Sequence, residues 1–98
     1  MRKPSIAILG ATGVVGREIT KIVDELKIQF NEIKFLSSAK SAGTKLEFQG
    51  KTYTVEEAKP ESFDGINIVL ASAGGSTSQK FAPEIVKRGG VLIDNSSA

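Results

Sequence analysis

Residues 5–16 read SIAILGATGVVG, and this stretch combines the patterns that decide the fold. Its first five residues form a nearly continuous apolar run, which is typical of a strand buried on both faces of a parallel sheet. Glycines follow at positions 10, 13 and 16. The apolar spacing then changes to four, three and four residues, which predicts a helix to residue 26 or 27 with an apolar face of Val15, Ile19, Ile22 and Leu26. A strand, a glycine-rich turn and an amphipathic helix therefore follow one another.

The later residues extend this unit. Further apolar runs predict buried strands at residues 33–37, 66–71 and 91–94. Residues 45–48 and 52–55 alternate with period two around residues 49–51, which predicts a β-hairpin where a doubly wound fold normally has a crossover helix. Proline at the start and glycine at the end of residues 60–65 predict one short helical turn.

A second helix is predicted after the strand at residues 66–71. Ser76 and Gln79 have the spacing of a capping box, and the apolar face comprises Phe81, Ile85 and Val86. Pro83 lies inside this segment, so the helix either restarts there or bends.

Composition excludes several classes of chemistry. The 98 residues contain no cysteine and no histidine, which excludes thiol nucleophiles, imidazole bases, disulfides and the common zinc sites from this stretch of chain. The formal net charge is +2 with scattered lysines and arginines, so no nucleic-acid partner is expected. No apolar run approaches the roughly 18 residues that span a bilayer, and we expect no membrane partner and a cytoplasmic location.

The three glycines lie where the first strand meets the first helix, and each has a separate use there. Gly10 permits a tight turn, Gly13 lets the backbone approach a phosphate, and Gly16 lets the helix pack closely on the strand. The spacing is G-x-x-G-x-x-G rather than G-x-G-x-x-G, so a turn without a ligand is the alternative. The expected fold is α/β, a Rossmann-like, mostly parallel sheet with helices on its faces and a hairpin replacing one crossover helix, forming one dinucleotide-binding domain over residues 1–98.

The loop after the second predicted strand indicates which dinucleotide the domain prefers. Sites that prefer NAD usually carry Asp or Glu about 20 residues after the glycines, where it binds the adenosine ribose. Here residues 37–43 read SSAKSAG and contain no carboxylate. Hydroxyls and one ammonium group would attract a 2′-phosphate, which predicts NADP over NAD. The alternative is a polar surface loop with a solvated lysine.

Two more loops follow later strands at the sheet edge where open α/β folds bind ligands. Residues 72–77 are small, which would let a nicotinamide ribose approach the backbone, although the segment also fits an ordinary strand-to-helix loop. Asn95 follows the last predicted strand and could hydrogen-bond a ligand or cap a turn.

Four motifs in this order, GATGVVG (10–16), SAKSAG (38–43), SAGGS (72–76) and DNSSA (94–98), resemble the N-terminal cofactor domain of bacterial aspartate-semialdehyde dehydrogenases. The resemblance covers essentially the whole chain. It implies reductive dephosphorylation of aspartyl phosphate by NADPH to aspartate semialdehyde, a step toward lysine, threonine, methionine and isoleucine, in a homo-oligomeric enzyme.

The resemblance also implies roles for individual residues. The pyrophosphate would be held by Thr12, Gly13, Val14 and Val15. The 2′-phosphate would be held by Ser38, Lys40 and Ser41, with lysine where the family often has arginine, a change that weakens the NADP preference without removing it. Ala73, Gly74 and Asn95 would lie toward the nicotinamide.

The same resemblance implies that the catalytic domain is absent. The family's catalytic cysteine, which forms a thioester, and its acid–base histidine have no counterpart in these residues, and the arginine that grips the substrate phosphate is expected shortly after Ala98. We therefore expect the cofactor-binding part of a larger enzyme, inactive alone. The alternatives are the cofactor domain of an N-acetyl-glutamyl-phosphate reductase, or a non-catalytic module that senses NADP.

Overall fold

The computed structural model describes residues 3–71 and 75–94, and within them the side chains of all residues except 14, 15, 75–79 and 94. The strands are β1 (Ser5–Leu9), β2 (Glu32–Ser37), β3 (Lys45–Phe48), β4 (Lys51–Thr54), β5 (Glu56–Glu57), β6 (Ile68–Ala71) and β7 (Val91–Asp94). The helices are α1 (Val14–Glu25) and α2 (Gly75–Lys87), with a 3₁₀ helix at Pro60–Phe63.

Five strands form one parallel sheet in the order β5-β2-β1-β6-β7. The connection from β2 to β5 carries the antiparallel hairpin β3-β4 instead of a helix. These observations confirm the predicted Rossmann-like α/β class and the replaced crossover. In the part of the chain that the structure describes, no helix is long and apolar enough to cross a membrane.

Strand β1 is the centre of the sheet, and all five of its residues are buried. Alternate side chains of a strand point to opposite faces, so β1 contributes to two separate cores. Ile6 and Ile8 pack on the side of α1 and the hairpin, together with Phe35. Ala7 and Leu9 pack on the opposite side. This two-sided burial explains why residues 6–9 are apolar without interruption.

The hairpin β3-β4 packs through aromatic rings on β2. The ring of Phe35 lies 5.7 Å from that of Phe48 and 5.1 Å from that of Tyr53, both in edge-on arrangements. The turn contains Gln49 and Gly50, both with positive φ, as tight two-residue hairpin turns require. The predicted hairpin is therefore confirmed, with a turn one residue shorter than expected and β4 beginning at Lys51.

Helix α1 meets β1 through glycine. A Cβ on Gly16 would lie 2.1 Å from the carbonyl oxygen of Gly10, a distance that real atoms do not reach. Gly10 itself has φ of 85°, which favours glycine. A Cβ on Gly13 would lie 3.6 Å from the same oxygen, in ordinary contact, and its φ is −78°. The predicted turn at Gly10 and close packing at Gly16 are confirmed, whereas fold and packing leave Gly13 free to be another residue.

The predicted apolar face of α1 is wrong, because the helix is rotated about its axis relative to the prediction. Ile22 is 49% exposed and Leu26 is also exposed, whereas Ile19 and Val23 are buried with Thr20. The side chain of Val15 lies outside the described residues. The rotation follows from the contact of Gly16 with Gly10, because residues three, four and seven positions after Gly16 share its face of the helix.

The prediction that β7 is buried is also wrong. Val91 and Ile93 are 58% and 51% exposed, and Leu92 between them is partly buried. Strand β7 is the last in the order of the described sheet, and one of its faces is uncovered there. Continuous apolar sequence therefore did not distinguish an edge strand from a central one.

Helix α2 is continuous and contains Pro83, so a restart at the proline is not observed. Its buried side includes Phe81 and Ile85, but Val86 is exposed, contrary to the predicted face. The helix begins at Gly75, so Ser76 lies inside it rather than at its N-cap; the side chains of the predicted capping box lie outside the described residues.

Arg88, the residue after α2, links the end of the helix to the rest of the domain. Arg88 donates hydrogen bonds of 2.7 Å to Glu84 and 2.6 Å to Asp64. These bonds raise the pKa of the Arg88 guanidinium above its ordinary value, and the bond to Glu84 has the larger effect.

Two isoleucines on α1 test the observed rotation. Replacement Ile19→Ala removes a buried side chain and should lower the free energy of unfolding by roughly 2–4 kcal/mol. Ile22→Ala removes the same atoms from a half-exposed site and should cost less than about 1 kcal/mol. Urea unfolding monitored by circular dichroism measures both, and equal losses would contradict the rotation.

Two glycines test the contact between α1 and β1. Alanine is favoured over glycine inside a helix by about 1 kcal/mol, so Gly16→Ala would stabilise the chain if packing were irrelevant. We expect instead a loss of at least about 2 kcal/mol, because the methyl group collides with backbone. Gly13→Ala is the control and should change the melting temperature by less than about 4 °C. An unchanged or raised stability of Gly16→Ala would contradict the contact.

Candidate functional site

A cleft of about 550 Å³ lies at the carboxyl ends of β1, β2 and β5. Parallel strands point their carboxyl ends to the same edge, so the loops after them converge there. The lining residues are Leu9, Gly10, Thr12, Gly13, Ser37, Ser38, Ala39, Ser41, Glu57, Ala58, Lys80 and Phe81. Five predicted site residues are among them, so the structure brings the glycine turn and the serine loop together.

Three hydroxyl groups join the two loops. The Oγ1 of Thr12 lies 3.0 Å from the Oγ of Ser37 and donates a hydrogen bond of 3.2 Å to the Oγ of Ser41. A hydroxyl has one proton, so Ser37 is the donor to Thr12 when Thr12 donates to Ser41. The proton of Ser41 then remains for a further acceptor. The chain of hydroxyls thus offers a donor at the cleft.

The first turn of α1 offers backbone donors to the same region. The N-cap residue, Gly13, has no side chain that could cap the helix, and the first turn contains no acidic residue. The N–H of Gly13 is bonded to the carbonyl oxygen of Gly10, at 3.1 Å, and the first regular bond of the helix runs from the N–H of Arg17 to Gly13. Val14, Val15 and Gly16 therefore have N–H groups without a partner within the helix, and the helix dipole adds partial positive charge. An anion is the ligand that such a helix end favours.

The hairpin fixes the serine loop. The carbonyl oxygen of Ser38 accepts hydrogen bonds from the N–H groups of Ser41 and Ala42 at 3.0 and 3.1 Å, which closes a turn. At the base of the hairpin, Gly43 donates to Val55 at 2.7 Å and Val55 donates to Thr44 at 2.8 Å. These hydrogen bonds therefore tie the serine loop to the base of the hairpin.

Other predicted site residues lie elsewhere. Lys40 is exposed at the turn between Ser38 and Ser41 and does not line the cleft. Gly16 lies behind the glycine turn, against Gly10. Val14 and Val15 belong to the first turn of α1, but their side chains lie outside the described residues. Ala73, Gly74 and Asn95 also fall outside the described part of the chain.

Sequence reasoning missed the lining residues that lie far along the chain from the glycine turn and the serine loop. Glu57 and Ala58 come at the end of β5, a strand of two residues that no periodic pattern could indicate. Lys80 and Phe81 reach the cleft from α2, and the Lys80 ammonium lies 5.3 Å from the Phe81 ring centroid. The helical spacing of Phe81 identified it as core, while Lys80 beside it carried no signal of its own.

A protein-family model and several known proteins are similar to this chain. The model of the family described as semialdehyde dehydrogenase, NAD binding domain, matches residues 5–98. The chain is 53% identical over 93 residues to aspartate-semialdehyde dehydrogenase of Bacillus subtilis, and 48% identical over 93 residues to that of Synechocystis. Each match covers 95% of this chain, which spans only 27% and 28% of the lengths of these relatives.

The solved structures that resemble this chain carry the same enzyme name as these relatives. Aspartate semialdehyde dehydrogenase II from Vibrio cholerae superposes with a TM-score of 0.91 at 36% identity, over 98% of this chain and 31% of the other. A probable aspartate-semialdehyde dehydrogenase from Pseudomonas aeruginosa gives a TM-score of 0.87 at 26% identity, over 99% and 29%. The resemblance found in the four motifs is confirmed, and the chain belongs to the family of semialdehyde dehydrogenase NAD-binding domains.

Proposed function

We propose that residues 1–98 form the NADP-binding domain of an aspartate-semialdehyde dehydrogenase, which reduces aspartyl phosphate to aspartate semialdehyde with NADPH. The observation that carries the proposal is the single cleft that gathers the glycine turn and the serine loop. Relatives of that name, 53% and 48% identical, support the choice of enzyme. The same proposal gives the whole protein a role in making lysine, threonine, methionine and isoleucine, and a homo-oligomeric state.

The cleft fits the pyrophosphate of a dinucleotide. Gly13 carries no side chain above the start of α1, although the fold would accept one there, so its absence leaves the backbone open to a ligand. The uncapped helix provides N–H donors, and Thr12 lies beside them at the cleft. These donors match an anionic group that bridges two nucleotides. We assign the pyrophosphate to Thr12, Gly13, Val14 and Val15.

The serine loop fits the phosphate that distinguishes NADP from NAD. Strand β2 ends in a serine and not in the acidic residue that typically binds the ribose of NAD. Ser38 and Ser41 line the cleft, and Lys40 lies exposed between them. Lys80 of α2 adds a second cation to the lining of the cleft. Lysine gives a point charge rather than the two-pronged grip of arginine, so the expected preference for NADP is moderate.

The chain's own contribution is to bind and orient the cofactor. NADPH, when bound, supplies the hydride of the overall reaction. We assign Ala73, Gly74 and Asn95 to the nicotinamide side, since each follows a strand at the edge where the cleft lies. A thioester mechanism needs a thiol and an acid–base group such as imidazole, and these 98 residues contain neither cysteine nor histidine. Both groups would have to come from outside these residues.

Nucleotide binding tests the assignment of the cleft. A ligand that binds only the folded state raises the melting temperature, so NADP should stabilise the 98-residue chain more than NAD does. The Lys40→Glu replacement should erase the difference, with NADP affinity falling roughly tenfold, or about 1.4 kcal/mol. Gly13→Ala should fold normally and weaken both nucleotides. Thermal shift and titration calorimetry measure these effects, and equal parent affinities for NADP and NAD would contradict the 2′-phosphate site.

Activity assays test the proposal that these residues bind the cofactor but do not supply the catalytic groups. The 98-residue chain should show no phosphate-dependent oxidation of aspartate semialdehyde, followed by NADPH absorbance, at any substrate concentration. The Bacillus subtilis relative, assayed in parallel, serves as the positive control. Turnover by the chain would show that a thiol is not needed and would overturn the proposed roles.

A further inference from the structure

Glu57 occupies a position in the cleft that the proposed function does not use. It is the second residue of β5, which pairs in parallel with β2 so that Glu57 lies opposite Ser37. Ser37 is the last residue of β2, where sites that prefer NAD carry their ribose-binding carboxylate. The neighbouring strand therefore brings a carboxylate to the level at which β2 itself has none.

The surroundings of Glu57 leave its charge unused. It lines the same cleft as Thr12, Ser38 and Ser41. Its main-chain carbonyl accepts a hydrogen bond from Ser62, but within residues 3–71 and 75–94 no hydrogen bond or salt bridge engages its carboxylate. In the described fold, Glu57 thus makes its structural contact through the backbone, and its side chain is available to a ligand.

We propose that Glu57 sets the choice between NAD and NADP; the inference rests on the proposed function and deepens it. A carboxylate at this level accepts a hydrogen bond from an adenosine ribose hydroxyl, which strengthens binding of NAD. The same charge repels a 2′-phosphate and so opposes the attraction from Lys40 and Lys80. Opposing charges at one ribose make the domain bind both dinucleotides, with a smaller preference for NADP than its serines and lysines alone would give.

The adjacent residue supplies a matched control. Glu56 lies opposite Leu36 in the same short strand, is exposed like Glu57, and does not line the cleft. Successive residues of a strand point to opposite faces, so Glu56→Gln removes the same charge beside the site without altering it. Any effect of net charge alone appears in both variants, whereas an effect of position appears only in Glu57→Gln.

Titration calorimetry of the 98-residue chain with NAD and NADP tests the inference. Glu57→Gln should tighten NADP and weaken NAD, raising the preference for NADP about tenfold, while Glu56→Gln should change it less than about twofold. Glu57→Ala, which removes the carboxylate without adding an amide, should also raise it.

The possible results separate the two proposals. If the parent chain binds neither nucleotide, the proposed function fails and the role of Glu57 fails with it. If the parent binds both but the Glu57 and Glu56 variants give the parent's ratio, or shift it equally, only the role of Glu57 is overturned. A fall in the NADP preference of Glu57→Gln would also overturn it. Circular dichroism of each variant establishes that the comparison is between folded chains.

Discussion

The contact between Gly16 and the carbonyl oxygen of Gly10 is the constraint on which the rest of the domain depends. With no room for a Cβ between them, the start of α1 lies directly on the end of β1. This contact fixes which residues of the helix face the sheet, so that Ile19 and Val23 join the core beside the hairpin. It also places the first turn of the helix, whose N–H groups have no partner within the helix, at the edge where the cleft opens.

The cleft is assembled from two loops that depend on different parts of the fold. The glycine turn is positioned by packing of helix on strand, and the serine loop by the hairpin whose rings cover Phe35. Thr12 joins them through hydrogen bonds to Ser37 and Ser41. The glycine turn and the serine loop are thus held at a fixed separation, and this lets both loops contact a single ligand in the cleft.

Local patterns predicted those features that local physics determines. The apolar run, the glycine turn and the alternating hairpin each bias the chain over a few residues. All three formed, the hairpin with a turn one residue shorter than predicted. The rotation of α1 and the exposure of Val91 depend on contacts distant in sequence, which periodicity does not record. Glu57 and Lys80 line the cleft because β5 and α2 both border it, so residue type alone could not identify them.

The two edges of the sheet differ in their capacity to accept another strand. On one side β5 offers two residues, both glutamates, and so short and charged an edge discourages pairing with a foreign chain. On the other side β7 is twice as long and presents the exposed side chains of Val91 and Ile93. Of the two edges of the described sheet, the one at β7 is therefore the less protected against pairing with another strand.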